Sequence, residues 1–391
     1  MALNTVSSDR LSTNVKNTNF TAAEKQDLTN DILPLATQFG QSKNLIINGA
    51  MQVAQRGSAS STTNGLATVD RFKKIGSGLG NTFSQEQITL SSSDTPYSSG
   101  FRKAFRVSQN QAGTANAAGA IDFSHYIEAQ NLTDSGWNYT SASSKITLQF
   151  WFRASTNQTF YGFLLSSDGT VQRNTFSFTA SGNNTWTKVT KTFTGNSNIT
   201  INNDNGTGLI VYLIPYYGTD YQGSISLDTW TTLANNDYVP SMASTWLTAG
   251  ASTFDVTGMQ LEVSDHATSF EHRSFAQELA LCQRYYYRHA EGAVDRMVGS
   301  GCVYNSSINI GYIQFPCQMR AIPSMDAPSG TNYYKVVSNN STQYQPNCTI
   351  EDGNINCSGF RFSGGTSTTT GHGAYFRLGD ASAYVAFSAE L

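Results

Sequence analysis

The side chains best equipped for chemistry in this chain are aromatic. Trp151 interrupts the polar phase of an alternating stretch, between Gln149 and Arg153, and Tyr216, Tyr217 and Tyr221 crowd a turn of sequence Pro-Tyr-Tyr-Gly-Thr-Asp-Tyr. Sugars present flat, weakly polar C–H faces, so rings flanked by amides and hydroxyls make platforms for them in concave sites. These four residues are the candidate glycan platform. Each also has a plainer use. Trp151 would equally serve a second packing face, against the opposite sheet, a helix or a neighbouring subunit. The tyrosines would equally form a loop tip that packs on itself or on a sister chain.

Other groups point less far. Glu262, Asp265, His266, Glu271 and His272 form the densest polar cluster. Imidazole and carboxylate supply metal ligands and protons near neutrality, but the local pattern is a strand end followed by a turn, which predicts a structural role. Asn202, Asn203, Asp204 and Asn205 offer oxygen ligands for calcium, yet with one charge among them they read as an Asn-rich turn. No GxSxG, HExxH, phosphate loop or dinucleotide fingerprint is present. The expectation is a binding protein rather than an enzyme, with no catalytic residue, metal or cofactor.

Composition narrows the elements that must position these groups. Charged residues are 13% of the 391, while aromatics reach 12%, with 33 glycines among abundant Ser, Thr and Asn. Thr and aromatics suit a pleated surface, and Gly and Asn accept turns. A helical bundle is excluded, because surface helices need the charged residues that are scarce. A net charge of −3 without a Lys/Arg block argues against nucleic acid. No apolar stretch approaches the ~20 residues that span a bilayer, and residues 1–20 lack the apolar centre of a signal peptide. The five cysteines, Cys282, Cys302, Cys317, Cys348 and Cys357, form no CxxC pair. They read as reduced thiols, with one bridge, Cys348 to Cys357, left open.

The expected fold is mostly β: a jelly-roll β-sandwich preceded by a short N-terminal helical leader and followed by a helix and a smaller C-terminal β domain. Residues 1–43 are the leader, where Thr21 and Glu24 make a capping box opening a helix over 22–33. So short a helix must dock on something. Residues 44–273 read as about ten strands. In 145–153, Ile146, Leu148, Phe150 and Phe152 alternate with Thr147, Gln149, Trp151 and Arg153. Further strands are expected at 101–108, 161–166, 175–180, 187–193, 208–214 and 252–263. Strands without intervening helices, and no internal repeat, indicate a two-sheet sandwich. Residues 274–391 begin with a second capping box, Ser274 and Gln277, whose helix carries Phe275, Leu279, Cys282 and Tyr286 on one face, and then return to strands. All five tryptophans precede this region and every cysteine lies in it, so the two parts should have separate cores.

Three stretches resemble a known family. Asn44-Leu45-Ile46-Ile47-Asn48-Gly49-Ala50-Met51-Gln52-Val53-Ala54-Gln55-Arg56-Gly57, followed by Val69-Asp70-Arg71-Phe72, resembles the opening of bacteriophage tail-fibre and receptor-binding domains. The segments Phe254 to Val263 and Ala267 to Phe275, continuing into Glu278-Leu279-Ala280-Leu281-Cys282-Gln283-Arg284-Tyr285-Tyr286, resemble their closing strand and exit helix. Between them, Asn184 to Val189 resembles a strand of carbohydrate-binding jelly rolls, and Tyr384 to Leu391 is similar to the last strand of fibre tips. The resemblance implies a virion fibre or receptor-binding subunit, assembled in the bacterial host cytoplasm. It would attach to other virion structural proteins through residues 1–43 and adsorb to a host-surface glycan, without membrane insertion. Such fibres are usually homotrimers, and the scarce surface charge fits buried faces between subunits. The alternatives are a polysaccharide depolymerase and a non-binding structural decoration or adaptor of the virion. No sugar-contact motif of the family is matched, so no binding residue carries over.

Overall fold

The computed structural model describes residues 43–366 and 369–391. The leader helix expected over 22–33 lies outside the described residues. Strands are numbered along the chain. One sheet of six strands runs in the order β1 (Phe72–Ser77), β4 (Ala120–Glu128), β9 (Thr207–Tyr217), β6 (Thr159–Ser166), β7 (Gln172–Thr179), β10 (Trp230–Thr232). Against it lies a sheet of five: β2 (Phe83–Thr89), β3 (Lys103–Gln109), β11 (Ser252–Glu262), β5 (Lys145–Ala154), β8 (Thr187–Thr194). All their pairings are antiparallel, and together they make the jelly-roll sandwich.

Alternation along each strand builds the core. Ile146, Leu148, Phe150 and Phe152 of β5 are fully buried between the sheets, as their spacing predicts. They meet Phe160 and Phe178 from the facing sheet and Phe254 from β11, with Phe152–Phe178 edge-on at 4.8 Å and Phe160–Phe254 at 5.0 Å. Such ring pairs add about 0.5–1.5 kcal/mol each beyond burial. The strand β9 runs three residues beyond its expected end and takes Pro215, Tyr216 and Tyr217 out of the turn and into the sheet.

After the sandwich, the Ser274–Gln277 capping box forms and opens a helix at Phe275–Gln283. Its buried side differs from the expected stripe. Glu278, Cys282 and, just past the helix, Tyr285 are buried, Phe275 is exposed, and Tyr286 already belongs to a strand. A three-stranded sheet, β12 (Tyr286–Glu291), β21 (Tyr384–Ser388), β15 (Ser324–Asp326), packs on one of seven strands. The seven run β17 (Ser341–Gln345), β16 (Tyr334–Ser338), β20 (Gly373–Leu378), β13 (Met297–Val303), β14 (Ile308–Gln314), β19 (Cys357–Ser363), β18 (Asn347–Gly353). Their core, with Phe360, Phe362, Phe376 and Phe387, is distinct from that of the sandwich. All five cysteines are free. Cys348 pairs across strands with buried Phe362 and is itself buried, whereas Cys357 sits opposite Gln314 on the outer face. The two thiols therefore lie on opposite sides of the sheet, and the bridge left open by their spacing does not form.

The stretches that open and close the sandwich meet in one buried polar junction. The Asn48 amide donates to Val53 O at 2.8 Å and Asp70 O at 3.0 Å and accepts from Val53 N at 2.9 Å. Gly49 leaves room for the β11 backbone, since a Cβ there would stand 2.0 Å from Met259 O. Arg71 lies over the Tyr285 ring at 3.6 Å and Arg56 over the Tyr286 ring at 3.4 Å, and both guanidiniums donate to Glu390 beside the chain end. Glu128, at the end of β4, accepts from Arg284 at 2.6 Å and from the Tyr285 hydroxyl at 2.6 Å.

Removing one partner of a buried ion pair strands the other charge, at a cost of about 3–5 kcal/mol. Glu390→Gln is therefore expected to lower stability by about 3 kcal/mol. Its calorimetric unfolding should split into two transitions, one for each core, where the parent chain shows one. A single transition of unchanged midpoint would count against the junction as the coupling element.

Candidate functional site

The outer faces of the two sandwich sheets differ in kind. That of the five-stranded sheet is closed. Residues 264–271 fold back over its lower half, where Gln149 donates to Thr268 O at 2.7 Å and Thr147 to Ser264 O at 2.9 Å. There the Glu262 carboxylate accepts from the Thr268 amide at 2.9 Å and hydroxyl at 2.6 Å, and Gln260 accepts from Glu271 N at 2.8 Å. The polar phase of β5 is thus buried, because a second polar segment satisfies it. Of the rest of the expected cluster, Asp265 pairs with His266 at 2.7 Å on the surface, and His272 sits against the Phe101 ring at 5.1 Å. Among the described residues no three His, Cys, Asp or Glu side chains gather as metal ligands. The Asn202–Asp204 turn is held internally by Asp168 and by the Gly206 amide.

The upper half is covered by residues 91–101. Asp255 takes both Arg106 and Arg153, at 2.7 Å each. Asp94 accepts from Arg153 at 2.9 Å and from the Trp186 indole at 2.8 Å, and Arg153 lies 4.6 Å over the Trp186 ring. Trp151 is half-buried in the small cluster of Leu90, Tyr97, Phe101, Trp186 and Phe270 that this arrangement encloses. The expected platform at Trp151 is therefore a packing face against a connecting segment, and it is remote in the fold from the tyrosines, which belong to the other sheet.

On the six-stranded sheet the outer face stays aromatic. Registers align Lys73, Ser124, Tyr212, Phe163 and Thr175 in one row across five strands, with Tyr126, Ile210, Leu165, Arg173 and Thr231 in the next. The Phe163 ring stands 4.5 Å from Tyr212 and 5.4 Å from Tyr238. At the strand ends Tyr217, Tyr221 and Tyr238 make a triangle of rings 5.2 to 6.2 Å apart. Tyr217 and Tyr221 thus join this face. Tyr216 does not, since it pairs with Ile121, shares that residue's side of the sheet and is buried in the core. Tyr126, Tyr212, Tyr221 and Tyr238 are each partly exposed along the face.

Charged groups punctuate the rings. Asp122 is buried and accepts the Tyr217 hydroxyl at 2.9 Å; burial raises its pKa to about 7 against the hydrogen bond and the Lys73 charge. Burial and the Asp122 charge push the Tyr217 phenol well up, so it remains a donor. Lys73 lies 5.3 Å over the Tyr126 ring. Arg173 donates one nitrogen to Thr231 at 2.9 Å, while its other two nitrogens are buried without a partner. Rings, phenol hydroxyls, an amine and a guanidinium on one sheet face can stack on sugar C–H faces and bond their hydroxyls. Tyr126, Tyr212, Tyr238, Phe163, Asp122 and Arg173 went unread in the sequence. The available signal was Tyr126 in the polar phase of β4, the same kind of break that singled out Trp151.

No family model matches the chain, and no curated protein matches it. Several solved structures do. The enzymatically active domain of tailspike protein 4 from bacteriophage CBA120 is 10% identical over 56% of this chain with a TM-score of 0.29, and the chain spans 21% of that protein. A family 4 carbohydrate-binding module is 11% identical over 56% of this chain and 99% of its own, TM-score 0.29. The TmCBM61 module, solved in complex with β-1,4-galactotriose, is 11% identical over 57% of this chain and 100% of its own, TM-score 0.28. With about one residue in ten identical, each is a likeness of fold alone.

The Asp122 shift has a sign. Its folded pKa of about 7 exceeds the ordinary carboxylate value of 3.8, so the folded state holds the proton more tightly. Its contribution is most favourable below about pH 4, declines as pH rises towards 7 and is level above that. Asp122→Asn should therefore flatten the fall of stability between pH 4 and 7 by on the order of 1 kcal/mol per pH unit. Urea unfolding of both proteins across that range checks it, and parallel curves would refute the shift.

Proposed function

We propose that this chain is a fibre or receptor-binding subunit of a phage particle that adsorbs to a host-surface glycan through the tyrosine face of its six-stranded sheet. The observation that carries the binding part is the unequal closure of the sandwich. Polar segments cover most of one outer face, while the other, crossed by residues 233–243 over Phe163 and Thr175, keeps partly exposed Tyr126, Tyr212, Tyr221 and Tyr238 around Asp122, Lys73 and Arg173. The virion part is supported by the opening and exit stretches, which resemble those of phage receptor-binding domains, with residues 1–43 as the attachment to other virion proteins. A homotrimer would multiply weak single sites into firm adsorption.

A second reading, cleavage of the bound polysaccharide, has Asp122 in its favour, because a carboxyl that keeps its proton to about pH 7 suits a general acid. Glycoside hydrolysis also needs a second carboxylate across the scissile bond. Release of reducing ends from purified host polysaccharide would establish that reading over simple binding.

Two variants measured side by side test the site. Tyr212→Ala should weaken binding to host cells by roughly five- to hundredfold, the cost of about 1–3 kcal/mol that loss of one stacking ring carries on nucleobases. Trp151→Ala should lower the unfolding midpoint and leave the binding of the folded fraction unchanged. The reverse pattern would move the site to the five-stranded sheet, and no binding by the parent chain would favour a purely structural virion element. Light scattering should return three chain masses at micromolar concentration; one mass of 42.4 kDa would exclude the trimer.

A further inference from the structure

The large apolar side chains left exposed are concentrated outside the sandwich. Tyr304, Tyr312, Tyr344 and Tyr375 all stand in the C-terminal part, with Tyr312 57% and Tyr375 56% accessible. Exposed apolar patches of this kind mark places of interaction. Tyr375 pairs with Ser300, Ser300 is next in register to Tyr312, and Tyr312 pairs with Gly359. The row therefore reads Tyr, Ser, Tyr, Gly across four strands. At about 4.8 Å per strand the two tyrosine positions lie about 10 Å apart, with only the Ser300 side chain between them. Beyond the Tyr312 ring, Gly359 admits the neighbouring strand, since a Cβ there would stand 3.2 Å from the Glu351 Cβ and 3.3 Å from Asp352 O.

A concavity of about 530 Å³ opens beside this ring, a size suited to a small ligand. At the next strand, β18, the register shifts between Ile350 and Gly353, and the bulge sets Glu351 and Asp352 along the concavity with Asn354. Glu351 is met by Arg361 at 3.4 Å, whereas Asp352 has no ion-pair partner among the described residues. The ring is also held in place. Its hydroxyl donates to Gln314 at 2.8 Å, Gln314 donates to Asn356 O at 2.9 Å, and the neighbouring Cys357 thiol raises the phenol pKa. An exposed ring fixed at its far end loses little freedom when a ligand stacks on it.

We propose that this concavity is a second carbohydrate site, separate from the tyrosine face of the sandwich, which takes a neutral oligosaccharide stacked on Tyr312. The Asp352 carboxylate receives hydrogen bonds from its hydroxyls, the Asn354 amide, whose oxygen is held by the Asn356 and Cys357 amides, supplies its remaining N–H, and Tyr375 meets the chain further along the row. The unpaired carboxylate excludes anionic sugars and phosphates. A lipid chain would find serine, glycine and carboxylates where it needs an apolar wall. This site goes beyond the sandwich reading and stands on its own residues.

The test uses the full chain on a printed array of neutral and uronic-acid oligosaccharides, with Tyr212→Ala and Tyr312→Ala compared to the parent. Neutral sugars retained by Tyr212→Ala and weakened roughly five- to hundredfold by Tyr312→Ala, at an unchanged unfolding midpoint, support the site. Neutral sugars unaffected by Tyr312→Ala, or retained only where Tyr212 is intact, overturn it and leave the sandwich reading standing. Loss confined to Tyr312→Ala overturns the sandwich reading instead. Nitration by tetranitromethane, mapped by mass spectrometry on the parent chain, is a second measure that needs no variant. A bound neutral hexasaccharide should protect Tyr312, and equal nitration with and without it refutes the proposal. A change of oligomeric mass in Tyr312→Ala without loss of sugar binding makes the patch a contact between copies and likewise overturns it.

Discussion

The fold depends on a buried ionic contact made by residues far apart in the chain. Arg71 and Arg56, from the approach to the sandwich, converge on Glu390 at the other end of the described chain, and each guanidinium is stacked on a tyrosine that follows the exit helix. A carboxylate taken out of water is costly unless it is paired and hydrogen-bonded. Here it is paired twice, by the residue type whose planar fork and flat face suit both an oxygen acceptor and a ring. Asn48, Glu278 and Glu128 satisfy the surrounding backbone and guanidinium groups. The opening, exit and last-strand stretches that resemble the family make this junction. In this chain their residues bind one another, which separates the residues that carry the resemblance from those that would meet a ligand.

Once that junction exists, the sandwich has one face already spent. The exit segment must cross the five-stranded sheet to reach its helix, and in doing so it turns Thr147, Gln149, Gln260 and Glu262 from surface groups into a buried polar ladder. The Asp255–Arg106–Arg153–Asp94 chain closes the remainder. The six-stranded sheet is crossed on its outer side by residues 233–243, which bury Phe163, Thr175 and Tyr161, and Tyr126, Tyr212, Tyr221 and Tyr238 stay partly exposed around that crossing. Rings with a polar tip tolerate this half-wet position better than aliphatic side chains do.

The C-terminal part repeats the contrast in another form. Its Phe376 ring meets Phe360 and Phe362 edge-on at 5.0 and 5.2 Å, and those two rings lie tilted at 5.3 Å, so its inner face is well filled. Its outer face alternates exposed tyrosines with glycine and serine. Small residues beside a large ring leave the ring's flat side uncovered, which a protein with no use for it could have avoided with a lysine or a threonine.

Local pattern determined much of this protein. Period-two alternation placed β5 and its four inward apolar residues, and the Ser274–Gln277 pair placed the second helix. These features are legible because they arise from neighbours a few residues apart. The tyrosine face was not legible, because Tyr126, Tyr212, Phe163 and Tyr238 become neighbours only through the β4–β9–β6 registers and the connection that follows. The surroundings of Trp151 and Tyr216 were not legible for the same reason. Whether a ring in a strand faces solvent, core or a covering segment is decided by what crosses the sheet, and that is a property of the tertiary fold.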